Sequence, residues 1–242
     1  MRKASMEKLL ADYERVSDDL CILDSADTTK KAHLETQLKT IAFFIGRKDI
    51  DKKDKKDHIM EMQHDNLDLS GRKIWIRDEF IGGDAARFEA QISAIFEHGG
   101  SERPITLVID SPGGDVHSCL GMVDIIRNLP CKVNTVATGI AASAAMVLFA
   151  AGNGTRKMSK HSFLMYHWCQ ISWLSGNSGD IQNQAVFMES LTDKLTTVIA
   201  EACTEDHGFD WWKPQGNKEM FVSTEDALKY GLCTGVLDST DF

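Results

Sequence analysis

The sequence lacks the features that mark several large classes of protein. Its longest uninterrupted apolar run, Ala144–Ala151, is far shorter than the roughly 20 residues that a membrane-spanning helix needs. Near the N-terminus, acidic residues interrupt the basic start before an apolar segment forms, so we expect no signal peptide. With a net charge of −9, the chain also lacks the basic excess that contact with nucleic-acid phosphates requires. We therefore expect neither membrane insertion nor nucleic-acid binding.

Cysteine is scattered rather than clustered. The residues are Cys21, Cys119, Cys131, Cys169, Cys203 and Cys233. They form no Cys-x-x-Cys pair and have no histidine at metal-ligand spacing, which argues against a zinc site and against a disulfide framework. Reduced thiols fit a cytoplasmic protein. The chain also has no P-loop motif, so any use of ATP would depend on a partner protein.

The remaining composition, 43% hydrophobic and 26% charged, is typical of a globular protein. Apolar residues at helical spacing predict two helices, over residues 5–23 and 29–45. A mixed-charge stretch follows them, and we place a domain boundary near Asn66. The sequence thus predicts a helical N-terminal extension with a charged linker in residues 1–66 and one larger domain in residues 67–242.

In the larger domain, strand-like and helix-like segments alternate. The strand-like segments are "RKIWIRDEF", "RPITLVID", "CKVNTVATG" and "SFLMYHWCQIS", and the helix-like ones are "GDAARFEAQISAIFEHG", "VHSCLGMVDIIRNL" and "AASAAMVLFAAG". A long amphipathic helix is predicted over residues 180–202. Alternation at this interval predicts βαβ crossovers and a largely parallel sheet covered by helices, which is an α/β fold.

Three patterns at the ends of these predicted elements carry candidate chemistry. The Pro-Gly-Gly turn in "DSPGGDV" lets backbone N–H groups come close to a ligand. Ser143, near the start of an alanine-rich helix, lies beside unpaired N–H groups that stabilise developing negative charge. His167, in an apolar strand, is a candidate general base. Taken singly, each also fits a structural role: a tight turn, a closely packed helix and a buried histidine.

Taken together and in order, the motifs "SPGG", "TGIAASAA", "LMYHW" and "FVSTEDALKYGLCTGVLD" resemble those of the proteolytic subunit of Clp protease, the ClpP family. This family belongs to the ClpP/crotonase superfamily, and the resemblance extends from about Leu69 to Asp238. It implies a ClpP/crotonase-like fold of repeated ββα and βαβ units. It also implies a serine endopeptidase that hydrolyses unfolded or threaded polypeptides without a metal or cofactor.

The resemblance also implies roles for particular residues. Ser143 corresponds to the nucleophile and His167 to the general base of a catalytic triad. The backbone N–H groups of Gly114 and Ala144 correspond to the oxyanion hole. The substrate backbone is expected to lie as an extended strand beside a further set of residues: Asp115, Val116, Cys169 and Gln170.

The sequence departs from the family pattern at the third triad member. The family usually has Asp two residues before the Phe of the closing motif, whereas this chain has Glu219 there, as do phage head-maturation peptidases that resemble ClpP. We take Glu219 as the acid, with Asn217 and Asp210 as alternatives, and the chain as a phage-type enzyme. Trp168 replaces the Gln that often follows the catalytic histidine. Asn217 and Lys218 replace an Asp-Arg pair that joins rings, so the double-ring assembly is in question.

The resemblance further implies a homo-oligomeric ring, a heptamer or double heptamer, in which active sites are sequestered and which an ATP-dependent unfoldase serves. Two other functions fit parts of the sequence. One is a catalytically silent ClpP-like subunit with a structural or regulatory place in the ring. The other is a crotonase-type acyl-CoA enzyme, which does not need a Ser-His pair at these positions.

Overall fold

The structure is a computed structural model that describes Arg15 and residues 66–171 and 175–238. The chain divides into two units, residues 1–65 and 66–242, and the account below concerns the second. The helices predicted over residues 5–23 and 29–45 lie outside the described residues. Within the described part of the chain, no helix is both long enough and apolar enough to cross a bilayer.

Helices and strands alternate along the second unit, and the predicted α/β class is confirmed. The strands are β1 (Leu67–Asp68), β2 (Lys73–Ile76), β3 (Ile105–Ser111), β4 (Val133–Ala142), β5 (Arg156–Met158), β6 (Phe163–Tyr166), β7 (Met220–Ser223) and β8 (Gly235–Val236). The helices are α1 (Asp84–Gly99), α2 (Val116–Asn128), α3 (Ala144–Ala150), α4 (Ser178–Glu201), α5 (Phe209–Gln215) and α6 (Thr224–Lys229). The long helix predicted over residues 180–202 is α4.

The strands form one sheet in the order β1-β2-β3-β4-β5-β8, which is parallel except for the antiparallel pair β1 and β2. Strands β6 and β7 lie off this row: β6 runs parallel to β4 and antiparallel to β7. The apolar positions of β3 alternate with less buried ones, and all seven residues of α3 are buried. The core therefore lies between the central strands and the helices that connect them.

Strand β4 pairs with β5 along its first part and with β6 at its end, and we call the point between these two stretches the branch of the sheet. Residues 135–137 pair with β5, whereas residues 140–142 pair with β6. Gly139, between these two stretches, has a φ of 74°. A Cβ atom there would lie 2.4 Å from Asp110 Oδ1, which instead accepts a hydrogen bond from the Ile140 N–H. Only glycine fits this position, and its conformation directs the end of β4 towards β6.

Two features differ from the expectation. The strand predicted from "SFLMYHWCQIS" ends at Tyr166, because its partner β7 begins opposite it at Met220. Beyond that pair, the Trp168 N–H donates to the Gly216 carbonyl rather than to a strand. Helix α5 was not predicted, and its buried Trp212 packs edge-on against the Tyr166 ring at 5.5 Å.

Arg72 fastens α1 to the start of β3. Its side chain is 2% exposed, and its guanidinium donates hydrogen bonds to the carbonyls of Pro104, Gly100 and Arg103 at 3.1, 2.9 and 2.8 Å. The same group lies 5.8 Å from the centre of the Phe96 ring. A cation at this place also satisfies carbonyl groups at the C-terminal end of the helix.

We expect Arg72→Met to lower the free energy of unfolding by about 3 kcal/mol, because it leaves several inward-facing carbonyls without a donor. Arg72→Lys should lose less, since it keeps the charge but not the planar set of donors. Urea denaturation followed by circular dichroism measures both. The exposed Arg103→Met is the control and should change stability by less than about 0.5 kcal/mol; equal losses for Arg72→Met and Arg103→Met would contradict this account.

Candidate active site

Ser143 occupies a strained turn between β4 and α3. Its φ is 55° and its ψ −125°, a conformation that residues with a side chain rarely adopt. The Ser143 N–H donates to the Met165 carbonyl at 2.7 Å, and its own carbonyl accepts from the Met146 N–H at 3.0 Å. The turn is therefore held by β6 on one side and by the first turn of α3 on the other, with Ser143 half-buried.

The glycine turn packs directly against this serine. Gly113 has a φ of 93°, and a Cβ atom on it would lie 2.8 Å from the Ala144 nitrogen and 2.9 Å from Ser143 Cβ. Phe80 holds the turn from the other side, because its N–H donates to the Gly113 carbonyl and its carbonyl accepts from the Asp115 N–H.

Two backbone N–H groups near this contact, those of Gly114 and Ala144, are not used by the strand pairing or by the helix. Pairing with Phe80 uses the groups that flank Gly114, so the N–H of Gly114 itself faces away from Phe80. Ala144 is the first residue of α3, where an N–H has no partner within the helix. The structure thus brings the glycine turn and the start of α3 together, as an oxyanion-binding site requires.

His167 follows β6 at the same edge of the sheet as Ser143. Because Ala142 of β4 pairs with Met165 of β6, Ser143 and His167 come directly after neighbouring parallel strands. The Nδ1 atom of His167 is buried and has no hydrogen-bond partner among the described residues. In a serine peptidase this nitrogen donates to the acid of the triad.

Glu219 is the residue before β7, the strand that pairs with β6. Tyr166 and Met220 form the last antiparallel pair of β6 and β7, so His167 directly follows this pair and Glu219 directly precedes it. The register is not kept beyond the pair, because the Trp168 N–H donates to the Gly216 carbonyl. The Glu219 side chain is exposed and makes no hydrogen bond to His167 in this structure. The alternatives are also exposed: Asp210 lies in the first turn of α5, and Asn217 follows the end of that helix.

The residues predicted to face the substrate have mixed surroundings. Asp115 caps α2, since its carboxylate accepts from the Ser118 N–H at 2.7 Å, and Val116 is the first residue of that helix. The Cys169 N–H donates to Thr192 Oγ1 at 3.2 Å, and Gln170 is exposed. The backbone N–H groups of Asp115 and Cys169 are therefore already bonded within the chain.

Helix α5, which contacts the segment that follows His167, was not predicted from the sequence. Trp168 Nε1 donates to the Lys213 carbonyl at 2.7 Å, which fixes the segment after His167 against this helix. A cavity of about 220 Å³ adjoins it, lined by Trp168, Cys169, Met188, Glu189, Thr192 and Lys213. The apolar "FDWW" in the sequence was the available signal for α5, but Pro214 at its end masked the helical pattern.

The thiols near the site are poor nucleophiles. Burial raises the pKa of Cys169 and of Cys119, whose Sγ donates to the Ala144 carbonyl. Both therefore stay protonated at neutral pH, and thiolate is the reactive form of cysteine. In the parts of the chain that the structure describes, no group of three or more His, Cys, Asp or Glu side chains could hold a metal ion. Ser143 is the nucleophile that this geometry favours.

Comparison with known proteins supports the same chemistry. The family model described as Clp protease matches residues 55–240 of the chain. A Clp protease proteolytic subunit 1 of Prochlorococcus marinus (strain MIT 9312), described as ATP-dependent, is 31% identical over 70% of this chain and 86% of its own length. The ATP-dependent proteolytic subunit of Bacteroides thetaiotaomicron is 32% identical over 71% of this chain and 79% of its own length.

The family-model match spans the glycine turn, the strained serine, the histidine after β6 and the closing strand and helix. The matches to the two relatives extend over most of the relatives' own length, so the likeness is not confined to a short motif. Ser143 follows β4 and His167 follows the neighbouring parallel strand β6, in the same order as the motifs "TGIAASAA" and "LMYHW". The chain belongs to the Clp protease family.

Proposed function

We propose that this chain is a serine endopeptidase in which Ser143 attacks the peptide carbonyl and His167 is the general base. The observation that carries the proposal is the strained turn at Ser143. The turn is packed against Gly113 and bonded through its N–H to Met165, two residues before the histidine. Backbone strain of this kind is expected at a catalytic serine, because its hydroxyl must lie beside the backbone N–H groups that bind the oxyanion.

The proposed reaction follows the serine-peptidase sequence. His167 takes the Ser143 hydroxyl proton as the oxygen attacks the carbonyl, and the backbone N–H groups of Gly114 and Ala144 stabilise the oxyanion. His167 then gives this proton to the leaving amine, which leaves an acyl-enzyme. Water attacks the ester with His167 again as base, and Ser143 is regenerated. The residues themselves supply each proton transfer.

Glu219 is proposed as the acid that orients His167. Its place in the chain supports it, because Glu219 directly precedes β7 and His167 directly follows β6, the strand that pairs with β7. The hydrogen bond from Nδ1 to Glu219 would satisfy the buried ring nitrogen that has no partner among the described residues. Apo serine peptidases often tighten such contacts only when substrate binds.

The substrate is proposed to be an extended polypeptide between the glycine turn (Asp115, Val116) and the segment after the base (Cys169, Gln170). Because the Cys169 N–H is bonded to Thr192, pairing on that side falls to Gln170. Residues 67–242 form the peptidase domain in this proposal, and residues 1–66 form its helical extension.

The assembly is proposed to be a homo-oligomeric ring with sequestered active sites, in the cytoplasm, of phage type. The cyanobacterial and Bacteroides relatives are described as ATP-dependent. Since this chain has no P-loop motif, ATP-driven unfolding would be supplied by a partner unfoldase. Membership of the Clp protease family, whose matched relatives are named as proteolytic subunits, favours neither a silent ring subunit nor a crotonase-type acyl-CoA enzyme.

We expect a fluorophosphonate probe to label the wild-type chain, Ser143→Ala to abolish labelling and His167→Ala to slow it by a factor of about 1,000 or more. The reason is that the probe needs an activated serine oxygen. In-gel fluorescence over a time course measures the rates, with Ser159→Ala as a serine control that should label normally. Equal labelling of the wild type and Ser143→Ala would sink the nucleophile assignment.

Glu219→Gln should lower kcat for a fluorogenic peptide by a factor of about 100 or more, because the amide orients the histidine poorly and does not stabilise imidazolium. Steady-state kinetics with Asn217→Ala and Asp210→Asn as matched comparisons identifies the acid. A fully active Glu219→Gln enzyme, together with an inactive Asn217→Ala or Asp210→Asn enzyme, would reassign the role.

Size-exclusion chromatography with light scattering tests the ring. We expect a mass near seven or fourteen times the 26.9 kDa of one chain. A ring excludes folded proteins from its active sites. Folded proteins should therefore resist cleavage, whereas short peptides should be cleaved. A monomer that cleaves peptides at full rate would refute the ring while leaving the peptidase chemistry intact.

A further inference from the structure

The segment that carries His167 is attached to helix α4 on both sides of the histidine. On one side, the Tyr166 hydroxyl lies 2.6 Å from Thr196 Oγ1. On the other, the Cys169 N–H donates to Thr192 Oγ1 at 3.2 Å. Thr192 and Thr196 are four residues apart, so they lie one above the other on the same face of α4. His167 is thus held between two attachment points on a single helix.

The two threonines belong to one connected network. Thr196 Oγ1 donates to the Thr192 carbonyl at 2.7 Å, which uses its only proton, so the Tyr166 hydroxyl is the donor to Thr196. Thr196 is 0% exposed and Thr192 6%, so bulk water does not compete for these bonds. Burial raises the pKa of Tyr166, and its hydroxyl therefore remains a donor throughout the neutral range.

This attachment matters because the histidine ring has no anchor of its own in this structure. Its Nδ1 atom has no partner among the described residues, and the strand pairing of β6 stops one residue before it. Trp168 fastens the other side of the segment to α5 through the Lys213 carbonyl. The position of the ring therefore depends on how the backbone around it is held.

We propose that Thr192 and Thr196 are positioning residues that set where the general base His167 stands relative to Ser143. The inference rests on the proposed function. Both threonines act through Tyr166 and the Cys169 backbone rather than on the substrate. Because the Met165 carbonyl holds the Ser143 N–H separately, loss of the threonine bonds displaces the base and leaves the nucleophile in place.

The test replaces each threonine with valine, singly and together, in the full chain. We expect the double variant to lower kcat for a Ser143-dependent fluorogenic peptide by a factor of about 10 to 100, since small misplacements of a catalytic group slow the chemical step. The KM-against-kcat comparison is read from Thr196→Val, for which KM should stay within about twofold, because Thr196 bonds to Tyr166 and Thr192 and not to a substrate-facing residue. Thr192→Ser and Thr196→Ser keep the hydroxyl and should retain nearly full kcat.

A matched control lies on the same helix. Thr197 Oγ1 also donates to the carbonyl four residues earlier, that of Asp193, at 2.8 Å, but its side chain is exposed. Thr197→Val removes the same kind of bond and should leave kcat unchanged. In a His167→Ala background, Thr192→Val should cause no further loss of the residual fluorophosphonate labelling rate, because no base remains to be positioned.

Two results would overturn the inference: wild-type kcat in the double valine variant, or a further loss of labelling rate in the His167→Ala background. If circular dichroism shows that the double variant is unfolded, Thr192→Val alone and Tyr166→Phe, which removes only the hydroxyl donor, are judged by the same criteria. A wild-type chain with no Ser143-dependent turnover would instead refute the proposed function, and labelling of Ser143 distinguishes that failure.

Discussion

The catalytic edge of this protein depends on one strained backbone turn at Ser143. A sparsely populated conformation with positive φ at a residue with a side chain costs on the order of 1–3 kcal/mol, and it persists only where the surroundings leave no alternative. Here the Met165 carbonyl accepts a hydrogen bond from the Ser143 N–H, and the buried helix α3 begins at the next residue. Gly113 completes the arrangement by leaving out the one atom that would collide with the serine.

Ser143 and His167, the proposed nucleophile and base, are held in different ways. The nucleophile is held by short-range backbone geometry, which makes its position insensitive to distant changes. The base follows the end of a short strand, and its segment is fastened by side chains of α4 and by α5. Helices that lie far along the chain from "LMYHW" therefore contribute to the geometry of the reaction.

Much of this architecture follows from sequence pattern. Apolar periodicity predicts the helices and central strands, because burial enforces period 3.6 or period 2, and motif order identifies Ser143 and His167. Pairing is harder to predict: Gly139 marks an irregularity within β4, but it does not indicate which partners residues 135–137 and 140–142 choose. The early end of β6 and helix α5 also depend on tertiary contacts, since Trp168 bonds to Gly216 and Trp212 packs on Tyr166.

The branch of the sheet at Gly139 has a consequence for how such a protein can diverge. Strands β5 and β8 leave β4 before the branch, whereas β6 and β7, which precede His167 and follow Glu219, leave it afterwards. A change along β5 reaches the segment around His167 by two routes, through the shared strand and through Arg156, whose guanidinium donates to the Ala202 carbonyl at the end of α4. Strand β8 lies one strand further out, so new surfaces acquired there over evolutionary time disturb the chemistry less than changes along β5.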